Sequence, residues 1–283
     1  MSIEAKILAD SKSVRGERIT TFLLTFPRII LAEFNTHRMF SRNSASSRAI
    51  PFKKMVESVE TNPFIPIAWQ KDHKGMQGTE YINDYDLLLQ CKWDWLQARD
   101  FAVQQAESLN NSLEVTKQLC NRLLEPFMWH TVICTATEYD NFFKLRDHEA
   151  AEIHIQELAK RMKEAMSNSI PKVLKVGEWY IPFADQIVFE DTYAFDHEGN
   201  RINNENRIKI ATAKCARVSY TTVGSTSNSS HTADIELYKK LLESGHMSPF
   251  EHCAQVMSDT DYYERPWSRN FKGFVQYREI VES

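Results

Sequence analysis

Glycine and glycine-rich motifs are scarce in this chain. Its 283 residues include eight glycines, less than half of the roughly 7% that is average for proteins. Neither Gly-x-Gly-x-x-Gly nor a Walker loop occurs in the sequence. A nucleotide or dinucleotide would therefore have to be held by side chains and helix ends rather than by a glycine-rich loop.

Cysteines are few, and none are paired in sequence. Their spacing contains no Cys-x-x-Cys pair, and their odd number fits a reducing compartment better than a disulfide framework. No thiol has neighbours typical of a nucleophile, so we expect five buried, inert thiols. The cysteines are Cys91, Cys120, Cys134, Cys215 and Cys253.

Long apolar runs and strong charge of one sign are also absent. No segment approaches the roughly 20 apolar residues that span a bilayer, and the N-terminus lacks the apolar core of a signal peptide. We therefore expect a cytoplasmic protein with no membrane segment. The 34 Lys and Arg residues against 38 Asp and Glu residues leave a net charge of -4, which does not predict binding to polymeric nucleic acid.

Metal-ligand spacing is missing as well. His148 and Glu152 would share one face of a helix, but His154 would point elsewhere, and position 152 is not a histidine. His246 and His252 have no partner ligands at zinc spacing. We expect no metal site.

The pattern of apolar residues predicts one domain of mixed structure. Alternation predicts strands at 3–9 and 17–26, with Pro27 beginning a helix. A period of three to four residues predicts the longest helix from Asn83 to about Leu109. Further helices are predicted at 112–124, from about 146, at 204–214 and at 234–243, with loops at 41–48, 61–83 and 221–231 and a strand with a turn at 183–206. The expected fold class is α+β, a single domain over 1–283 with a mixed or antiparallel sheet flanked by long helices and a helical insertion around 52–112.

The densest polar cluster runs from Thr36 to Arg48. Arg38 and Arg48 offer forked donors for phosphate or carbonyl oxygens, and Ser46 and Ser47 add hydroxyl groups. This composition suits a planar anionic ligand. A solvated loop with capping serines explains it equally well.

This cluster resembles the signature of the flavin-dependent thymidylate synthases, which is Arg-His-Arg, seven residues, then Ser. Here His37-Arg38 is followed by seven residues and Ser46, and Arg48 matches the family's following arginine. Thr36 replaces the first arginine of the signature, and Ser44 stands where many members have glutamate.

Further segments carry the same resemblance. Ala216-Arg-Val-Ser-Tyr220 is similar to one family element, and Gly245-His-Met-Ser-Pro-Phe-Glu-His252 is similar to another. Asn141-Phe-Phe-Lys-Leu-Arg146 is similar to a third, and Arg122, four residues before Pro126, matches a phosphate-binding arginine. Family members usually have the first two elements before the His-Arg signature, so the order here resembles a circular permutation.

The resemblance implies an enzyme with the family's α+β fold that methylates dUMP to dTMP. Members use methylenetetrahydrofolate as carbon donor, FAD as hydride donor and NADPH as reductant. They bind a pyrimidine deoxynucleoside monophosphate and form homotetramers. The implied substrate-binding residues are Ser46, Ser47, Arg48, Arg122, Arg146 and Arg278, of which Ser46, Arg146 and Arg278 are the implied catalytic residues. The implied flavin contacts are His37, Arg38, Asn141, Ser219, His246, Ser248, Glu251 and Arg269.

Three questions stay open at this point. Arg146 and Arg278 are both candidates for the arginine that faces the pyrimidine, because residues 269–278 also resemble the family's Leu-Arg segment, which Asn141–Arg146 matches. The alternative for residues 269–278 is a terminal tail packed on a neighbouring subunit. A hydroxymethylating or dCMP-acting relative is an alternative enzyme. A non-catalytic nucleotide-binding homologue is the alternative outside enzymes.

Overall fold

The computed structural model describes residues 1–75, 78–184, 204–221 and 229–283. Most of the strand and turn expected at 183–206, and most of the loop expected at 221–231, lie outside the described residues. No helix in the described ranges has the length and apolar character needed to cross a bilayer.

The strands form a mixed five-stranded sheet and two small antiparallel sheets. They are β1 (Glu4–Ser13), β2 (Arg18–Pro27), β3 (Ser41–Ser44), β4 (Trp129–Ala136), β5 (Lys172–Leu174), β6 (Trp179–Tyr180), β7 (Ala254–Val256), β8 (Trp267–Ser268), β9 (Phe271–Lys272) and β10 (Phe274–Gln276). The large sheet has the order β3-β4-β2-β1-β5, and only its β1–β5 pair is parallel. The small sheets have the orders β10-β7-β6 and β8-β9.

Ten α-helices lie in the described ranges. They are α1 (Leu31–Phe34), α2 (Phe52–Thr61), α3 (Tyr85–Glu107), α4 (Lys117–Leu123), α5 (Asp140–Arg146), α6 (Ile153–Asn168), α7 (Asn204–Arg217), α8 (His231–Glu243), α9 (Asp259–Glu264) and α10 (Tyr277–Glu282). One-turn 3-10 helices cover Arg28–Ile30, Glu125–Phe127, Val218–Tyr220 and Ser248–Glu251. The α+β class expected from the sequence is confirmed.

Both faces of the central strands are buried. Phe22 and Val132 belong to a core shared with Leu158 of α6, whereas Leu23 and Ile133 belong to a second core that includes Phe250. Successive residues of a strand point to opposite faces, so β2 and β4 supply both cores. The central sheet therefore supports the Ser248–Glu251 turn on one face and α6 on the other.

Several local predictions were wrong. Residues 41–44 form strand β3 rather than a loop, because their backbone pairs with β4, for example Asn43 with Ile133; β4 itself was not predicted. No continuous helix starts near 146, because α5 ends at Arg146 and α6 begins at Ile153, where the Glu152 side chain accepts from two backbone N–H groups.

Two smaller differences concern α4 and one thiol. Helix α4 begins at Lys117 rather than near 112, since Ser108–Ser112 form a π-turn that continues α3. Cys91 is half-buried, because its part of α3 lies near the surface, whereas the other four thiols are buried as expected. Burial raises the pKa of Cys134 and of Cys253 to about 12, so these two thiols are poor nucleophiles.

Candidate functional site

Motif segments that are distant in sequence meet at strand β3. The side-chain amide of Asn43 lies 3.0 Å from Nε2 of His252, the residue that directly follows the Ser248–Glu251 turn. Two residues beyond β3, the Ser46 backbone N–H donates to the Ser219 carbonyl oxygen at 3.0 Å. The His-Arg signature, the Ala-Arg-Val-Ser-Tyr segment and the Pro-Phe-Glu-His turn therefore meet within a single chain.

The Leu-Arg segment, residues Asn141–Arg146, contacts the same signature at His37. Arg146 Nε donates to His37 Nε2 at 3.0 Å, and the Arg146 guanidinium lies 3.4 Å from Glu33 Oε2. Thr36 Oγ1 lies 3.5 Å from the same guanidinium, where a second arginine would bring like charge. The signature position at which Thr36 replaces arginine is thus in contact with Arg146.

His37 is a neutral hydrogen-bond acceptor at this contact. Its side chain is buried and packs edge-on against Phe142, with ring centroids 4.8 Å apart. Burial, together with the charges of Arg146 and Arg42, lowers the pKa of His37 to about 4. Because Arg146 can only donate, the proton of the neutral ring lies on Nδ1.

Arg278 is in a different electrostatic situation. Its guanidinium lies 2.7 Å from Glu251 and 3.0 Å from Glu282. The hydrogen bond to Glu251 is the main cause that raises the pKa of Arg278. Arg269, whose backbone φ is +55°, pairs with the same Glu282. These contacts fasten α10 to the Ser248–Glu251 turn and leave Arg278 with its charge compensated.

The serine loop after β3 is tied to α4. Asn121 Nδ2 donates to the Ser47 carbonyl oxygen at 2.6 Å, and Ser47 Oγ donates to Glu125 Oε1 at 3.0 Å. The exposed Arg48 and the exposed Arg122, which follows Asn121, are therefore carried by connected segments. The hydroxyl group of Ser47 is already used, whereas Ser46 is half-buried and its backbone N–H is the group bonded to Ser219.

A cavity of about 150 Å³ lies behind this loop. Its lining includes Ala45, Ser47, Tyr220 and Lys54. Tyr220 ends the Ala-Arg-Val-Ser-Tyr segment, whose Arg217 instead bonds to the fully buried Asp234 at 2.6 Å. That segment thus contributes one residue to the site and one to the core.

Four of the remaining expected flavin contacts are exposed side chains. Arg38, Asn141, His246 and Ser248 are exposed, and His246 Nδ1 lies 2.8 Å from Ser244 Oγ. His154, by contrast, serves the fold, because Nδ1 lies 2.5 Å from Glu152 and Nε2 accepts from the Ile67 backbone N–H.

Four partner residues were missed by sequence reasoning. Asn43 is inside the signature, but its polar side chain within a predicted loop carried no sign of a structural bond. The other three lie in segments without a motif and become partners only through the fold. These are Glu33, Glu125 and Thr135.

Comparison with models of known protein families identifies the family of the chain. The model of the thymidylate synthase complementing protein matches residues 11–172, more than half of the chain, including β3, Arg122 and Arg146. The chain belongs to this family. Residues 216–220 and 244–252 lie outside the matched range of this family member. No curated protein matches the chain.

Three solved structures are distantly similar to this member of the thymidylate synthase complementing protein family. A UMP/dUMP methylase PolB from Streptomyces cacaoi, bound with 5-Br dUMP, is 18% identical with a TM-score of 0.44, over 53% of this chain and 66% of that one, just under two thirds. The same methylase bound with 5-Br UMP is 17% identical with a TM-score of 0.49, over 59% and 90%. Thymidylate Synthase X (ThyX) from Helicobacter pylori with FAD and dUMP is 17% identical with a TM-score of 0.35, over 52% and 67%.

Proposed function

We propose that this chain is a flavin-dependent thymidylate synthase that methylates dUMP to dTMP. The observation that carries the proposal is the meeting of the His-Arg signature with the Pro-Phe-Glu-His turn, through Asn43 and His252 at 3.0 Å, in a chain that belongs to the family. Methylenetetrahydrofolate is the proposed carbon donor and NADPH the proposed reductant.

The donor groups around β3 fit FAD and a nucleotide phosphate. Arg38, Arg48 and Arg122 are exposed, and within the described ranges no ion pair neutralises any of them. Guanidinium groups that no carboxylate neutralises, together with hydroxyls such as those of Ser46 and Ser248, suit phosphate oxygens and ring carbonyls. When bound, FAD would supply the hydride chemistry that no amino-acid side chain provides.

Arg146, rather than Arg278, is the proposed group facing the pyrimidine. Arg278 is compensated by two carboxylates at 2.7 and 3.0 Å, whereas Arg146 has one carboxylate at 3.4 Å and a neutral histidine. A cation with less compensation stabilises developing negative charge on the ring more effectively. His37 orients this guanidinium by accepting its Nε–H and adds no positive charge.

The nucleotide phosphate is proposed to lie between Arg48 and Arg122. Ser46 is the proposed hydroxyl partner, and Ser47 contributes by its bond to Glu125, which holds the loop. This arrangement does the enzyme's main work, which is to fix the orientation of the two ligands.

The site is proposed to be completed by other subunits of a homotetramer. Its expected flavin contacts Arg38, Asn141 and Ser248 are exposed, so a second chain can supply the missing wall. Size-exclusion chromatography with light scattering tests this assembly, and an active monomer would refute it.

Flavin binding is the first experiment on this proposal. The purified chain should bind FAD with a change in the flavin absorbance spectrum, and dUMP should change the rate at which the bound flavin oxidises NADPH. Arg48→Gln should weaken the effect of dUMP, whereas the control Arg161→Gln, at an exposed arginine on α6, should not. No spectral change with FAD would favour a non-catalytic homologue.

A further inference from the structure

A chain of buried hydrogen bonds runs from Tyr180 of β6 to Asn43 of β3. Tyr180 Oη lies 2.7 Å from Thr21 Oγ1, and Thr21 Oγ1 lies 2.7 Å from Thr135 Oγ1. We name these three residues the hydroxyl chain. Thr135 Oγ1 lies 2.7 Å from His252 Nδ1, and His252 Nε2 lies 3.0 Å from the Asn43 amide. All five side chains are buried, so an unmade bond among them would be costly.

The Tyr180 end does not set the direction of these bonds. The Tyr180 hydroxyl is the donor both toward the Ala9 carbonyl oxygen at 2.9 Å and toward Thr21 Oγ1 at 2.7 Å. Because a hydroxyl oxygen has two lone pairs, Thr21 can also accept from Thr135, and Thr135 can then accept from the Nδ1–H of His252.

The Asn43 end sets the tautomer. With Nδ2 turned toward His252, the Asn43 amide donates to His252 Nε2 at 3.0 Å and to the Ser248 carbonyl oxygen at 3.1 Å. With the oxygen turned there instead, the Ser248 carbonyl would face another acceptor. Burial lowers the pKa of His252 to about 3, so the ring is neutral near pH 7, with a lone pair on Nε2 if its proton is on Nδ1.

We propose that His252 is a positioning residue, held in its Nδ1–H tautomer between the Asn43 amide and Thr135 of the hydroxyl chain, so that it fixes the Asn43 amide against the Ser248–Glu251 turn. The consequence for FAD rests on the proposed function, but the tautomer does not. Asn43 belongs to β3, inside the signature, and Ser248 belongs to the turn. The orientation of one buried ring thus sets how the two motif segments face each other.

Nuclear magnetic resonance tests the tautomer directly. In the full-length chain with 15N-labelled histidine, the His252 ring signal is the one that His252→Gln removes. The wild type should show the Nδ1–H tautomer. Thr135→Val removes the acceptor, so the proton should move to Nε2 and the Asn43 oxygen should turn toward it, whereas Thr135→Ser should restore the original signal. An Nε2–H wild type, or an unchanged tautomer in Thr135→Val, would overturn the inference.

FAD affinity tests the positioning role. Thr135→Val should weaken FAD binding about five- to tenfold, the size of one net hydrogen bond, and Thr135→Ser should recover most of the loss. The matched control is Thr25→Val, at a buried threonine of β2 outside the chain, which should bind FAD like wild type. Equal losses in both valine variants would show that His252 has no special role. A wild type that binds no FAD would refute the proposed function, and the tautomer would still decide this inference.

Discussion

Replacing Arg146 by glutamine should remove activity and leave stability almost unchanged. The ion pair that is lost joins side chains that are 23% and 42% exposed at 3.4 Å, and such pairs contribute about 1 kcal/mol or less. A glutamine amide can still donate to His37, so the change mainly deletes the charge. Loss of one preorganised group that stabilises a developing anion typically lowers kcat by about 100- to 1,000-fold.

Arg278→Gln is the matched comparison. It leaves Glu251 and Glu282 without the cation that now lies 2.7 and 3.0 Å away, so it should cost about 1 kcal/mol of stability and less than tenfold in kcat. The assays are steady-state dTMP formation from dUMP and urea unfolding of both variants. If Arg278→Gln lost activity and Arg146→Gln kept it, the assignment of Arg146 to the pyrimidine would be refuted.

Three further predictions concern stability. The free energy of unfolding should fall as pH drops from about 6.5 toward 4, because histidines protonate in the unfolded chain but stay neutral where they are buried in the folded one. Urea unfolding should show this as a lower midpoint, and a midpoint independent of pH would contradict it. The histidines whose pKa is lowered to about 4, 3 and 3 are His37, His130 and His252. Asp234→Asn should cost about 3 kcal/mol in urea unfolding, because the 2.6 Å partner Arg217 would lose its buried counter-ion. Gly273→Ala should lower the melting temperature more than Gly177→Ala. Both glycines have a similar positive φ, +75° and +78°, but only a Cβ at position 273 meets a side chain, that of Glu17 at 2.8 Å. Equal losses of melting temperature would disprove the clash.

The elements that could be predicted from the sequence are those whose own residues determine them. Helix α3 has a strong three-to-four-residue period and an aspartate cap, Asp84, that accepts from a backbone N–H, so its predicted and observed bounds differ by two residues at each end. Strand β2 is rich in β-branched and aromatic residues and stops at Pro27. Local preference and final environment agree in both cases.

The elements that were missed depend on partners elsewhere in the chain. Every residue of β4 is buried, so its sequence lacks the alternation of a half-exposed strand and does not distinguish a strand from a buried helix. Strand β3 is a polar run that becomes a strand only because β4 offers backbone partners. Without β4, the serines and Asn43 resemble a loop.

The candidate site divides in the same way. His37, Ser46 and Arg146 could be named because they lie in recognisable motifs, and the structure brings His37 and Arg146 into contact. Glu33 and Thr135 could not, because each acts on a motif residue from a segment whose own pattern is that of an ordinary helix or strand. Only the three-dimensional contact identifies them.

The nucleotide product tests the central claim most directly. The purified chain is incubated with dUMP, methylenetetrahydrofolate, FAD and NADPH, and the nucleotide is analysed by mass spectrometry, with dCMP in a parallel reaction. The account predicts dTMP, which is dUMP carrying one added methyl group, and no conversion of dCMP. A hydroxymethylated product, conversion of dCMP alone, or unchanged dUMP with fully bound flavin would contradict it.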